Sequence, residues 1–316
     1  MTSRVPLPDV ALHLTDLVKT VMSEIRPRLV DAALSRERAE NKNIRHEGNF
    51  LSAHDIWMHE RYKKLISSRI PSYIYASEEA DPQVIGTDRD PDLCVLVDPL
   101  DTSELAVRAL HGYTHAMIYS RALSRPIAAV VGDIFHHLQV YVAARDQDGQ
   151  DQVFVVTRDG DHHPLHLGES QSLPESLITN YLMKPTERFL PMAKQTHLLQ
   201  ALGQRSQDGL RRGRLGVDFG SIGLCHVAAG FTDAMVEFAK GFAIWDLAPG
   251  HYILNAAGGA VLDLEGRPIP LDYRLDTLAD INAAMNKRQR FVAATDLALA
   301  QSILHTMVET GMSGSA

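Results

Sequence analysis

The run Val97-Asp98-Pro99-Leu100-Asp101-Thr102-Ser103-Glu104 follows directly on an apolar stretch, Leu93-Cys94-Val95-Leu96-Val97. No other segment constrains the fold and its chemistry as much. The apolar stretch reads as a strand, and the Asp-Pro-x-Asp that ends it places two carboxylates three residues apart, with hydroxyl residues behind them. Such a junction offers hard oxygen ligands and the free N–H groups of a helix start at one point. The first suit a cation such as Mg²⁺ and the second suit a phosphate. Asp-Pro is also an ordinary turn, so the run acquires meaning from what accompanies it.

Two further acidic points do so. Ser77-Glu78-Glu79 lies upstream, after the extended run Tyr73-Ile74-Tyr75, and Trp245-Asp246-Leu247-Ala248 lies downstream, ahead of an apolar stretch that closes at Gly258-Gly259. In order and spacing, this set resembles the inositol monophosphatase family of Mg²⁺-dependent, lithium-sensitive phosphomonoesterases. That family carries Gly-Glu-Glu, then Asp-Pro-(Ile/Leu)-Asp-Gly-(Thr/Ser), then Trp-Asp-x-Ala-Ala with a later Gly-Gly. The resemblance runs from about Asn43 to the C-terminus.

The resemblance implies a ligand set. Glu78, Asp98 and the backbone carbonyl of Leu100 would hold a first Mg²⁺; Asp98, Asp101 and Asp246 would hold a second, with two or three ions per site. Ser103 stands where the family has a Thr that pairs with an upstream Asp to orient the attacking water, and Asp55 in Leu51-Ser52-Ala53-His54-Asp55 is the matching partner. Glu78 also reads as a solvated acidic turn, Asp55 as the capping-box residue of a helix begun at Ser52, and Asp246 as a helix N-cap supported by Pro249. On the substrate side, the resemblance points to Thr102, Ser103, the helix start Gly220-Ser221, and Glu237 as an acid for a substrate hydroxyl. Glu237 reads equally as an outward-facing strand residue.

Departures from the family pattern carry information too. Thr102 replaces a Gly that lets the backbone approach phosphate, so either the backbone there is not left-handed or the phosphate sits differently. Ser77 replaces another Gly, and Pro249-Gly250 replaces a small-residue pair, while no metal carboxylate is lost. Arg211, Arg212 and Arg214 either hold a second phosphate or form a solvated loop. The His136-His137 and His162-His163 pairs point to opposite faces of any strand, which disfavours zinc. Walker, dinucleotide-binding and nucleophile-elbow motifs do not occur in the sequence.

The chain has 316 residues, 45% hydrophobic and 22% charged, with a net charge of −8. Its length supports an ample core, and its charge supplies no basic field for nucleic acid or anionic lipid. Cys94 and Cys225 lie in apolar segments and read as buried thiols. No signal sequence or long uncharged apolar run is present, so the expectation is a cytoplasmic protein without a membrane partner.

Along the chain, residues 9–39 read as an amphipathic helix that Pro27 kinks or divides, and 40–49 as a polar mobile loop. A second helix starts at Ser52 and ends before Pro71. Extended segments follow near 73–76, 92–97, 115–122, 127–132 and 138–143, with a hydrophilic hairpin tip at 145–152. Beyond Ser172, strands at 176–182, 233–238, 260–264 and 290–294 alternate with helices near 191–203, 221–229 and 246–257, and a last helix is capped by Thr295. The expected fold is α/β with an α+β N-terminal half (1–172) and an α/β C-terminal half (173–316). It forms a layered αβαβα sandwich of the inositol monophosphatase/fructose-bisphosphatase type.

The implied function is hydrolysis of a small phosphorylated polyol, sugar or nucleotide by metal-activated water, in a homodimer. The rivals are a fructose-bisphosphatase, a 3′-phosphonucleotide phosphatase, and a catalytically silent binder of a phosphorylated metabolite or partner protein.

Overall fold

The helix Asp9–Ser35 lays ten buried residues, among them Leu14, Val18, Val21, Ile25 and Leu29, against a sheet. A computed structural model describes residues 8–38, 40–43 and 49–307. Pro27 does not divide this helix, because only one intrahelical bond is lost while the apolar face continues through Leu29 to Ala32. The helix ends at Ser35, short of the expected 39, where Arg36 turns left-handed and donates its N–H to the Ala32 carbonyl. Part of the expected loop is paired, Glu40–Asn41 lying against Leu51–Ser52; residues 44–48 of it fall outside the described residues. Ser52 caps the helix Ala53–Ser67 as its sequence implies, with Asp55 completing the reciprocal box.

Among the described residues, the larger sheet has eight strands. Leu93–Asp101 is interior to it, between Tyr113–Ser120 (antiparallel) and Tyr73–Ser77 (parallel). From Tyr113–Ser120 a meander continues through Arg125–Asp133, Leu138–Arg145 and Asp151–Thr157. The hydrophilic tip closes around Asp146, whose carboxylate accepts the N–H groups of Asp148 (3.0 Å) and Gln150 (2.8 Å). A five-stranded sheet follows, ordered Arg214–Val217, Leu177–Asn180, Ala234–Phe242, Gln289–Ala294, Ala260–Leu262.

Between the two sheets lie the helices Gly220–Ala228 and Ile244–Ala256, and Leu297–Thr306 packs on the outer face of the smaller sheet. The order of layers is therefore αβαβα. A middle helix must be apolar all round, and ten of the thirteen residues of Ile244–Ala256 are buried. One core cluster joins both sheets through these helices, including Met117, Tyr141, Leu224, Trp245, Tyr252 and Phe291. Cys94 and Cys225 are buried free thiols within it.

Several boundaries differ from expectation. The strands Ala80–Ile85 and Asp151–Thr157 and the helix Leu278–Asn286 are additional. The single helix expected at 191–203 is broken into Pro185–Phe189, Leu190–Ala193 and Thr196–Leu202, since prolines open the first two segments. The last helix is capped by Asp296, which accepts from the Leu299 N–H at 2.8 Å, not by Thr295. Asp246 is not an N-cap: the helix starts at Ile244, Ala243 is the cap, and Pro249 lies inside the helix beyond the first turn.

That interior proline shapes the middle layer. Pro249 cannot donate to the Trp245 carbonyl, and the imidazole Nδ1 of His115 faces that carbonyl instead, at 3.3 Å. One residue on, the Ser221 hydroxyl enters the ladder, donating to the Asp246 carbonyl (2.7 Å) and accepting from the Gly250 N–H (3.0 Å). Ser221 is fully buried and ties the two middle helices together. Ser221→Ala leaves a buried donor and acceptor without that bridge and is expected to cost about 2 kcal/mol. A urea midpoint equal to that of the wild type would show the bridge to be unimportant.

Candidate active site and metal centre

Asp98 and Asp101 are three residues apart, a spacing that in a regular strand turns side chains to opposite faces. The strand is not regular. Asp98 stands opposite His115 but Asp101 stands opposite Tyr113, so Leu93–Asp101 carries one extra residue between the two acids. Pro99, which has no N–H for the ladder, sits at this bulge. Both carboxylates consequently reach the same side. The parallel register of Ser77 with Val97 brings Glu78 beside Asp98, its N–H donating to the Val97 carbonyl at 3.1 Å. Asp246 comes from the first turn of the middle helix, its carboxylate facing the Ala243 N–H at 3.4 Å.

One ligand atom from each of Asp98, Asp101, His115 and Asp246 lies within 4.8 Å of the others. Both Asp98 oxygens, Asp101 Oδ2 and His115 Nε2 are buried without a hydrogen-bond partner. Burial, then repulsion from neighbouring acids, pushes the carboxyls of Glu78, Asp98 and Asp101 well above the ordinary range. Asp246 is also raised by burial, with Arg288 and Arg188 opposing. Burial pushes the His115 imidazole down to about 3, so the ring is neutral at physiological pH. Orphaned carboxylate oxygens converging in a buried pocket are a donor set that fits hard divalent cations.

Glu78, Leu100, Asp101, Thr102, Ser103 and Asp246 all line one cavity of about 160 Å³. Ser103 donates to Asp55 Oδ1 (2.5 Å) and lies 2.8 Å from the Leu100 carbonyl. The other Asp55 oxygen accepts the backbone N–H (2.7 Å) and hydroxyl (2.5 Å) of Ser52. Asp55 thus serves as a capping residue and as the acceptor for Ser103 at once. Burial raises its carboxyl to about 6, against the lowering effect of these hydrogen bonds.

Thr102 is left-handed (φ 60°, ψ 39°), which removes one of the two explanations for its replacing Gly. A β-branched side chain there costs on the order of 1–2 kcal/mol. Its hydroxyl donates back to the Asp101 carbonyl at 2.6 Å.

Gly220, Ser221 and Glu237 are not on the cavity wall. Gly220 has φ +31°, and a Cβ on it would stand 2.0 Å from Asp101 Oδ2 and 3.1 Å from His115 Cε1. Its lack of a side chain makes room for the acid and the imidazole. Glu237 is fully buried, ion-paired to Arg188, and accepts the N–H groups of Ala239 (3.2 Å), Lys240 (3.0 Å) and Gly241 (3.0 Å). It faces inward, not outward, and positions Arg188, which also stacks on Tyr181 (4.4 Å).

Arg188 lines the cavity with Lys184, Lys240 and Arg288, a basic wall contributed by the segments around the second sheet. These residues carry no local motif, so their convergence was not readable from spacing. Arg211, Arg212 and Arg214 are instead exposed, with Arg212 paired to Asp208 and Glu175. His115 was also missed; its only signal is a polar ring within a buried strand. Gly220→Ala is expected to displace Asp101 and weaken Mg²⁺ binding by roughly 10–100-fold. Unchanged affinity by calorimetry would show that Asp101 does not depend on that gap.

The sequence profile of the inositol monophosphatase family matches residues 9–308. Among curated relatives, the bifunctional NADP phosphatase/NAD kinase of Methanococcus maripaludis is 25% identical over 218 residues, covering 67% of this chain and 37% of that protein. The Nus factor SuhB of Pasteurella multocida is 28% identical over 178 residues, covering 56% and 59%. The chain thus spans less than two thirds of the length of either. The inositol-1-monophosphatase of Rhizobium meliloti is 28% identical over 218 residues, covering 66% and 70%.

Solved structures share the fold. The extragenic suppressor protein suhB of Bartonella henselae superposes with a TM-score of 0.64 at 18% identity, covering 93% of this chain and 99% of that one. A Ca-bound IMPase family protein of Staphylococcus aureus gives 0.66 at 13%, covering 94% and 95%. No helix among the described residues is long and apolar enough to cross a membrane. From the match along nearly its whole length, the chain belongs to the inositol monophosphatase family.

Proposed function

We propose that this chain is a Mg²⁺-dependent phosphomonoesterase, with its site between the N-terminal half (1–172) and the C-terminal half (173–316) that supplies Asp246. The observation that carries this reading is the buried, orphaned carboxylate cluster beside the Asp55–Ser103 pair. Asp98, Asp101 and Asp246, with Glu78 and the Leu100 carbonyl, are the residues to hold the cations. When bound, divalent cations supply an acidified water and neutralise charge building on the phosphoryl group. Ser103 Oγ turns its hydrogen to Asp55 Oδ1 and so presents lone pairs toward the cavity, where they accept a hydrogen from the attacking water and orient it. Above about pH 6 Asp55 is ionised and holds Ser103 in that orientation.

The basic wall supports a substrate with a second anionic group. Lys240 is ion-paired to Glu187 (2.7 Å) and Arg188 to Glu237, while Lys184 donates to the neutral Asn49 amide (2.8 Å) and Arg288 approaches Asp246 at 3.7 Å. A lone phosphate held by cations does not call for further cationic side chains on the same wall. This favours a bisphosphate or phosphonucleotide over a simple polyol monophosphate. The name of the M. maripaludis relative, an NADP phosphatase, is in keeping with such a substrate.

Inorganic phosphate release from a panel of monoesters, with and without a second phosphate or carboxylate, tests both statements. Release is expected to require Mg²⁺, to be fastest with the dianionic-plus-anionic compounds, and to fall by roughly 10³-fold in Asp98→Asn. Equal activity in Asp98→Asn contradicts the assignment. Binding of these compounds without any hydrolysis favours the silent-binder reading.

A further inference from the structure

The family resemblance assigns oxygen ligands alone, yet the acid cluster contains a nitrogen. His115 lies on the strand Tyr113–Ser120 directly opposite Asp98, with no exposed surface. Its Nδ1 is 3.3 Å from the Trp245 carbonyl and 3.7 Å from Asp98 Oδ2, and its Nε2 is 3.5 Å from Asp101 Oδ2.

The tautomer follows from the helix next to it. Nδ1 faces the Trp245 carbonyl, and a carbonyl oxygen can only accept, so the ring N–H belongs at Nδ1. Nε2 is then left with a bare lone pair. It is buried, without a hydrogen-bond partner, and faces an equally unpartnered carboxylate oxygen. Two buried lone pairs facing each other are unfavourable unless a proton or a cation sits between them, and an imidazole nitrogen offered to a group of acids suits the cation. A ring N–H donated to a backbone carbonyl is also the usual device that orients a ligating histidine.

The dimensions agree. Asp98, Asp101, His115 and Asp246 each offer a ligand atom within 4.8 Å of the others, and Nε2 lies 3.5 Å from Asp101 Oδ2, so these four residues would hold an ion with small side-chain shifts. Gly220 leaves the space that the ring occupies, since a Cβ there would meet His115 Cε1 at 3.1 Å.

We infer that His115 Nε2 is a ligand of the Asp98–Asp101–Asp246 site, and that this site takes Mn²⁺ in preference to Mg²⁺. The inference rests on the two-cation reading above and refines it at one of the two positions. Imidazole favours transition ions over Mg²⁺, and for mixed nitrogen and oxygen donors the preference for Mn²⁺ follows from its readier loss of water and looser geometry.

The test uses the full-length chain stripped of cations. Mn²⁺ is added to one equivalent, and pulsed electron paramagnetic resonance reads coupling of the ion to ¹⁴N, while calorimetry gives Mn²⁺ and Mg²⁺ affinities. The wild type is expected to show ring-nitrogen coupling and His115→Phe to lack it. The substitution should weaken Mn²⁺ by at least about tenfold and Mg²⁺ by less than about threefold. His115→Gln keeps a donor for the Trp245 carbonyl and serves where the Phe variant does not fold; it too should lose the nitrogen coupling. A wild-type signal without nitrogen coupling, or coupling that survives both substitutions, overturns the inference. If Mg²⁺-dependent phosphate release persists in that case, the phosphatase reading stands and only the nitrogen ligand fails. If neither cation binds the wild type, both fall together.

Discussion

Four carboxyl groups held together around one cavity, with Asp98 buried and the others half-buried, repel one another, and the rest of the structure holds them there. Each is raised by burial, and the first opposing charge on most of them is another acid of the same cluster. A fold relaxing freely would separate them or expose them to water. Here a proline-centred bulge turns Asp98 and Asp101 together, a parallel register brings up Glu78, and a middle helix delivers Asp246. Buried charges left uncompensated are among the costliest features a protein can keep. Their retention marks this site as built for a positive ligand.

The supports are themselves specialised. Gly220 makes room for Asp101 and for the imidazole; Ser221 repairs the ladder of the helix that carries Asp246. Pro249 is a poor residue for a helix interior on propensity alone. In place it releases the Trp245 carbonyl to His115, coupling the middle helix to the strand opposite Asp98. Glu237 performs a comparable service on the other wall by anchoring Arg188.

Much of this was legible in the sequence. The apolar run to Val97, the Asp-Pro-x-Asp turn and the Ser52–Asp55 box announce their local structure through backbone chemistry alone, and the family resemblance gathers the acids. What stayed hidden depends on tertiary position. His115 is one more residue in an extended stretch until the register sets it opposite Asp98. The basic residues Lys184, Arg188, Lys240 and Arg288 are separated in sequence, while the conspicuous run Arg211 to Arg214 lies on an exposed loop. Gly220 and Ser221 open a helix, which in a sequence invites a ligand; what the fold adds is packing, a missing Cβ beside Asp101 and a hydroxyl bridge to the middle helix. Strand Asp151–Thr157 opens on polar residues that belong by composition to the 145–152 tip, which obscures its start.

Without a compensating cation, an acid cluster of this kind opposes folding. A carboxyl raised in the folded state contributes stability that is present below its unfolded value and is lost as pH rises through the folded one. In the absence of divalent cations, Asp98→Asn should therefore unfold at higher denaturant than the wild type at pH 8, and the gap should close as pH falls toward about 4. With saturating Mg²⁺ the order should reverse, because only the wild type binds the ion well. A wild type that is the more stable of the two at pH 8 without cations would show that the cluster does not oppose folding.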